Sequence, residues 1–341
     1  MRFVMLFMAI APAIIWLQYF WERGDFKVYF ETLLIALAIG ALTAFPAISA
    51  AMFFDWISFP DAGLHFQAFA DAFLEAALPE EVSKFVGIYL CLYRARDEIS
   101  SPYDIVVLAV AVSIGFAALE NMFYIGDAAN WTGTAFSRSL TAVPGHAFTG
   151  AIMGTFIAHA RVKRRPWLFL TAALMVPILL HGLYDYFLFL EQIILTKNLT
   201  AQFELAEYAQ LAFILTVCGE GALSIVASGQ LLRSDHQFAS SLTPDMTPRL
   251  LKWWQQAPQF RLWVWRVLSF VMIVGGLLIG IIMLTRVDGI ATVLFNTNEP
   301  VASSKTIFAI GLCIFSIFHG ITFLKHGREI QQKTAKKESF L

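Results

Sequence analysis

The sequence predicts an all-α polytopic membrane protein with about nine transmembrane helices, and three observations carry that prediction. Hydrophobic residues fill 58% of the 341 positions, charged residues only 14%, and the mean hydropathy is +0.66, outside the range of soluble globular domains. Apolar runs of about 20 residues, the length a helix needs to cross a hydrocarbon core of about 30 Å, recur along the chain. Lys and Arg collect in every second connecting segment, as the positive-inside bias demands.

The expected spans lie at about 3–21, 30–54, 66–93, 103–125, 142–160, 167–190, 206–232, 264–285 and 303–324. The first runs into Tyr19, Phe20 and Trp21 rather than a small-residue cleavage site, so it reads as an uncleaved helix and not a signal peptide. The second is apolar throughout. Pro79, Glu80, Glu81 and Lys84 interrupt the third. The next three carry isolated polar clusters: Glu120 with Asn121, then His146, then His181 with Asp185. The seventh holds Glu220, a further acid at a useful depth to line the same cavity.

Placing segments 22–29, 94–102, 161–166, 233–263 and the C-terminal tail in the cytoplasm puts most basic residues there, including Arg161, Lys163, Arg164 and Arg165. The alternate loops hold Arg138, Lys197, Arg286 and Lys305, so the N-terminus is expected outside and the C-terminus inside. Between spans seven and eight, Trp253, Trp254, Trp263 and Trp265 alternate with Lys252, Arg261 and Arg266, a composition for a surface helix at the headgroup level. The organisation read from these features is N-terminal helices over 1–63, a membrane core over 64–190, and C-terminal helices over 191–324 with an interfacial segment at 233–263. A disordered Lys-rich tail over 325–341 completes it.

A net charge of −1 argues against nucleic-acid partners, which need a basic face. Cys91, Cys218 and Cys313 lie far apart in apolar segments without metal or redox spacing.

Charges inside a bilayer are costly unless they pair, face a cavity or do chemistry, so the clustered polar residues are the candidate site. Measured along each helix from its cytoplasmic end, Glu81 lies 13 residues from Arg94, Glu120 lies 17 from Tyr103, His146 lies 15 from Arg161 and His181 lies 14 from Trp167. At 1.5 Å per residue all four reach a layer roughly 20–25 Å above the inner surface. Glu80 and Lys84 are spaced i, i+4 and can pair, as can His181 and Asp185, where the carboxylate would fix the imidazole tautomer. Pro79 removes a backbone donor just before the glutamate pair, leaving carbonyls that favour a wet cavity. Gly145 and Gly150 flank His146 and permit close approach.

Such a set can hydrolyse an amide in two ways. Glu120, His146 and His181 could hold a zinc ion with an open position while Glu80 or Glu81 takes a proton from water. Alternatively a glutamate activates water directly while histidines stabilise the oxyanion. The residues leave both open.

The motifs Pro79-Glu80-Glu81-Val82-Ser83-Lys84, Phe116-Ala117-Ala118-Leu119-Glu120, His146, and His181-Gly182-Leu183-Tyr184-Asp185, in this order on successive spans, resemble those of the PrsW family of intramembrane proteases, related to CAAX prenyl endopeptidases and Abi proteins. The resemblance covers about residues 64–190. It implies that Glu80, Glu81, Lys84, Glu120, His146, His181 and Asp185 form the catalytic set, with Zn2+ as the cofactor under a metalloprotease mechanism. It further implies a membrane-anchored protein substrate cut near the outer side of the bilayer, such as an anti-sigma factor undergoing site-1 cleavage, and a multi-pass protein of the bacterial inner membrane.

Each cluster also has a plain reading. Glu80 with Lys84 would serve as a buried ion pair, His181 with Asp185 as a satisfied core pair, and Glu120-Asn121 as a helix-packing contact. His65, Asp55, Asp61, Asp71 and Glu75 read as solvated at the outer edge. The whole set would also suit a proton- or ion-coupled transporter, although no inverted repeat is present, or a non-catalytic scaffold.

Overall fold

A computed structural model describes residues 2–24, 28–56, 63–162, 165–239 and 317–332, with scattered positions between 259 and 277. Regular structure among the described residues is entirely helical, as the apolar runs require. The helices are α1 (Arg2–Arg23), α2 (Phe30–Trp56), α3 (Leu64–Phe69), α4 (Leu78–Arg94), α5 (Pro102–Asp127), α6 (Trp131–Leu140), α7 (Ala142–Val162), α8 (Pro166–Thr196) and α9 (Phe203–Ala239). Among the described residues, six stretches are long and apolar enough to cross a membrane: Val4–Arg23, Phe30–Trp56, Pro102–Asp127, Trp131–Arg161, Pro166–Thr196 and Phe203–Arg233. They correspond to expected spans one, two and four to seven. The eighth and ninth spans, the interfacial segment beyond Ala239, and positions 333–341 lie largely outside the described residues.

The third expected span departs from a plain α-helix. Between α3 and α4 the chain forms a π-helix over Ala70–Ala77, closed by the Leu78 amide donating to the Phe73 carbonyl. Pro79 follows at the start of α4. Proline has no amide hydrogen for the preceding turn, and a wider turn at that place absorbs the break.

α5 is the centre of the first compact unit, which comprises Met1–Ile193 and Gly219–Met246. It begins with a capping box: Ser101 Oγ accepts from the Asp104 amide at 3.2 Å, and Asp104 Oδ2 accepts from the Ser101 amide at 2.8 Å. From Tyr103 to Ala117 every residue is buried. α5 packs most extensively against α7 and α2, and also against α1, α4 and α6. Its approach to α2 is backbone to backbone and reciprocal. A β-carbon on Gly40 would overlap the Val112 carbonyl, and one on Gly115 would overlap the Leu37 carbonyl. The first helix joins this core through Ala9 beside Ile125 and Ala135, and through Trp16 set edge-on to Phe148 at 4.8 Å.

The second unit comprises Ile194–Cys218 and Thr247–Leu341. Here two expectations change. Trp265, read from composition as a headgroup-level residue, is buried with its ring 5.2 Å from Phe323 and 4.8 Å from His326, whereas Trp263 is exposed. The chain is helical to Gln332, where a disordered tail from Lys325 was expected, because His326 and Ile330 bury on one helical face.

Candidate active site

The polar clusters of α4, α5, α7 and α8 meet. α4 starts in the turn that presents Glu80 and Glu81, and Lys84 stands one turn on, so both carboxylates fall within its reach. Lys84 Nζ donates to Glu81 Oε1 at 2.8 Å and Glu80 Oε2 at 3.3 Å, contacts His146 Nδ1 at 2.8 Å, and lies 4.4 Å from the centre of the Phe116 ring. Neither Glu81 nor Lys84 is exposed at all. One ammonium thus links α4 to α5 and α7.

Each imidazole is held by carboxylates. His146 Nε2 lies 2.8 Å from Glu120 Oε2, and His181 Nδ1 lies 2.8 Å from Glu81 Oε1. His181 Nε2 faces Asp185 Oδ2 at 3.2 Å and Glu80 Oε2 at 3.9 Å. The i, i+4 pairing of His181 and Asp185 read from the sequence is therefore formed. The two imidazole rings stand edge to face with centres 5.3 Å apart.

Sequence reasoning missed Arg138. It was counted with the outer loops, but the segment folds into α6 and turns the guanidinium inward. Arg138 Nη2 donates to Glu120 Oε2 at 2.7 Å, its Nε donates to Asn121 Oδ1 at 2.8 Å, and the guanidinium carbon lies 3.9 Å from the centre of the Tyr124 ring. Asn121 in turn donates to the Ala9 carbonyl on α1 at 3.2 Å, a packing contact, whereas its neighbour Glu120 lines the cavity. An arginine eight positions before His146 in a short polar stretch was the available signal. Tyr184 was read only as part of its motif; it donates to Thr141 Oγ1 at 3.1 Å and ties α8 to the start of α7.

These side chains surround a cavity of about 340 Å³, whose lining includes Glu80, Glu120, Arg138, His146, His181 and Asp185. Glu220 lines it as well, as its depth suggested. Glu81 and Lys84 sit behind the wall. α8 closes on the π-helix at Gly182, where a β-carbon would strike the Phe73 ring. His65 Nδ1 meets the Tyr186 hydroxyl at 2.9 Å in an exposed contact, away from the cavity lining.

Among the described residues one group could hold a metal ion: single ligand atoms from Glu80, His146 and His181 all lie within 4.8 Å of one another. The sequence pointed to Glu120 as the carboxylate of such a group. In the structure Glu120 Oε2 is taken by Arg138 and His146, and the carboxylate of the grouping is that of Glu80. Two imidazoles and a carboxylate are a donor set of catalytic zinc sites. Glu81 on Nδ1 of His181 suits the orientation and basicity of a ring that ligates through Nε2, whereas both nitrogens of His146 are engaged, Nε2 with Glu120 and Nδ1 with the Lys84 ammonium, so an ion there would displace one of these partners. The residues fit a metal.

A helical membrane protein that gathers these donors around a cavity has the makings of a membrane-embedded metal-dependent hydrolase. The family model described as "PrsW family intramembrane metalloprotease" matches residues 30–217, beyond the 64–190 stretch in which the motifs lie. The chain belongs to the PrsW family and is a peptidase of the membrane. It is 35% identical over 182 residues to "Protease PrsW" of Geobacillus kaustophilus, covering 52% of this chain and 77% of that protein. Identity is 33% over 192 residues with the protein of the same name from Halalkalibacterium halodurans (55% and 85% covered), and 32% over 192 residues with that from Bacillus subtilis (54% and 83% covered). No solved structure matches the chain. Family membership decides for the peptidase against the transporter.

Proposed function

We propose that the chain is an intramembrane metalloendopeptidase whose ion, zinc by the chemistry of its donors, is held by Glu80, His146 and His181. The observation that carries this reading is the convergence of those three ligand atoms at the wall of the cavity. When bound, the ion supplies a Lewis acid and lowers the pKa of water. Glu81 fixes His181 through Nδ1 and turns Nε2 toward Glu80 and Asp185. Lys84 compensates the charge of both α4 glutamates. Glu120 and Asp185 are the carboxylates left beside an imidazole at the cavity wall; Asp185 pairs with His181, and Glu120, kept in place by Arg138, would take the proton of the attacking water. Burial of Glu81, Lys84 and His146 lowers the local dielectric and strengthens each of their interactions.

The substrate is a membrane-anchored protein cut near the outer side of the bilayer, of the class of regulatory proteins to which anti-sigma factors belong. The setting is a bacterial inner membrane with the N-terminus outside and the C-terminus inside. Nine spans complete the topology, with 64–190 as the catalytic core, 1–63 and 191–324 as flanking helices, and 325–341 as a cytoplasmic end. The basic residues of 161–166 support this orientation.

The test compares new protein termini in membranes of cells making wild type, the Glu80→Gln/Glu81→Gln double variant, or His181→Ala. Fragments present only with wild type, and mapping near the outer end of a partner's span, are the expected result. Matching profiles from folded, equally abundant variants would overturn the assignment.

A further inference from the structure

The proposed chemistry leaves one cavity acid unused. Glu220 is 1% exposed, lines the cavity beside His146 and His181, and its Oε1 has no hydrogen-bond partner among the described residues. The other carboxylates are engaged: Glu80 with Lys84, Glu81 with Lys84 and His181, Glu120 with Arg138 and His146, and Asp185 with His181. Glu220 lies just beyond the 30–217 stretch matched by the family model.

A buried carboxyl oxygen without a partner is costly unless its partner arrives with a ligand. What arrives at a peptidase site in a membrane is a chain whose helix must open around the bond to be cut. The amide hydrogens freed by that opening need acceptors, because the hydrocarbon offers none. The space beside Glu220 suits a polypeptide backbone. Ala142, Gly145, His146 and Thr149 present one face of α7 to the cavity, with small side chains on either side of the imidazole. The position a β-carbon would take on Gly145 is 3.5 Å from Glu220 Oε2, so a larger residue there would fill the gap.

We propose that Glu220 is a substrate-binding residue of the peptidase site, accepting a hydrogen bond from a backbone amide of the opened substrate segment as it lies along the Ala142–Thr149 face of α7. This rests on the peptidase-site reading above. It differs from a role in holding the ion or in activating water, since Glu220 is outside the Glu80, His146 and His181 group.

The experiment uses the full chain and four forms of it: wild type, Glu220→Gln, Glu220→Ala and Glu80→Gln. Termini mapping in cells identifies a cut site, and a synthetic transmembrane peptide carrying that site is the probe for the purified proteins in liposomes. Glutamine keeps the acceptor oxygen and alanine removes it. Expected are turnover within about threefold of wild type for Glu220→Gln and a loss of about tenfold or more for Glu220→Ala, with bound metal and melting temperature unchanged. The peptide is also made with an ester in place of the amide at each position flanking the cut. At one position the ester slows wild type but leaves Glu220→Ala unaffected, a coupling that a purely structural carboxyl would not produce. The inference fails alone if Glu80→Gln is inactive while Glu220→Ala cleaves like wild type, if alanine lowers the melting temperature and activity together without any ester coupling, or if glutamine is as impaired as alanine. If Glu80→Gln keeps full activity, or wild type yields no cuts, the site reading itself fails and the inference falls with it.

Discussion

The Lys84 ammonium lies 2.8 Å from Nδ1 of His146, joining two residues 62 positions apart at the point where α4 meets α7. Because that ammonium also bonds Glu81 and Glu80, it stands among acceptors that a metal cation would seek, and it neutralises them inside the protein. The site is thus electrostatically assembled by the chain's own cation.

Replacing Lys84 with methionine leaves Glu81 fully buried with only His181 as a partner. The expected cost is about 3–5 kcal/mol, read as a lower melting temperature in detergent and reduced abundance in the membrane. Adding Glu81→Gln to Lys84→Met recovers part of that loss, and a double-mutant cycle measures the coupling.

Arg138 serves Glu120 and Asn121 with two different nitrogens. An Arg138→Lys variant keeps the charge but cannot fork, so it restores little of the function lost in Arg138→Gln. Cleavage by both falls at least about tenfold, the effect of losing one charge-assisted hydrogen bond at a reacting carboxylate. Rates on a peptide carrying the mapped cut site check this.

Chelation with 1,10-phenanthroline is expected to abolish cleavage and added zinc to restore it. Elemental analysis of purified wild type should find one ion per chain, and His146→Ala and His181→Ala should find none. Glu81→Gln loosens the hold on His181 and weakens metal affinity about 10–100-fold. Full activity in a protein shown to be metal-free would assign the chemistry to a glutamate–water mechanism instead.

The α2–α5 contact predicts that Gly40→Ala and Gly115→Ala each destabilise by about 1–3 kcal/mol, since an added methyl group meets backbone rather than a movable side chain. Thermal unfolding in detergent measures it. Gly126→Ala, with open space around its α-carbon, serves as the matched control in the same helix.

How much of this could be read from the chain follows from what each signal consists of. Charges in apolar runs are conspicuous, so the layer containing Glu81, Glu120, His146 and His181 was legible, and counting residues from basic helix ends placed them together. Which glutamate faces the cavity was not legible. Glu80 and Glu81 are neighbours on one turn, Lys84 reaches both, and only packing turns Glu80 toward the lumen. Arg138 was hidden because α6 has just ten residues, too few to show a span, in a stretch polar enough to pass for a loop. Trp265 misled because an aromatic-basic composition suits both a headgroup surface and a packed ring cluster. The π-helix was invisible to any reading that assumes 3.6 residues per turn.

That π-helix gives the stretch from Leu64 to Arg94 two rotational phases on a single axis. The part before Leu78, with Phe69 and Phe73, is set to one register, and the part bearing Glu80, Glu81 and Lys84 to another. The wide turn acts as a vernier. A residue gained or lost upstream of Leu78 can be taken up there as a change of pitch, and the surface presented by Leu64–Ala77 can be redrawn while the glutamates keep their bearing on the histidines.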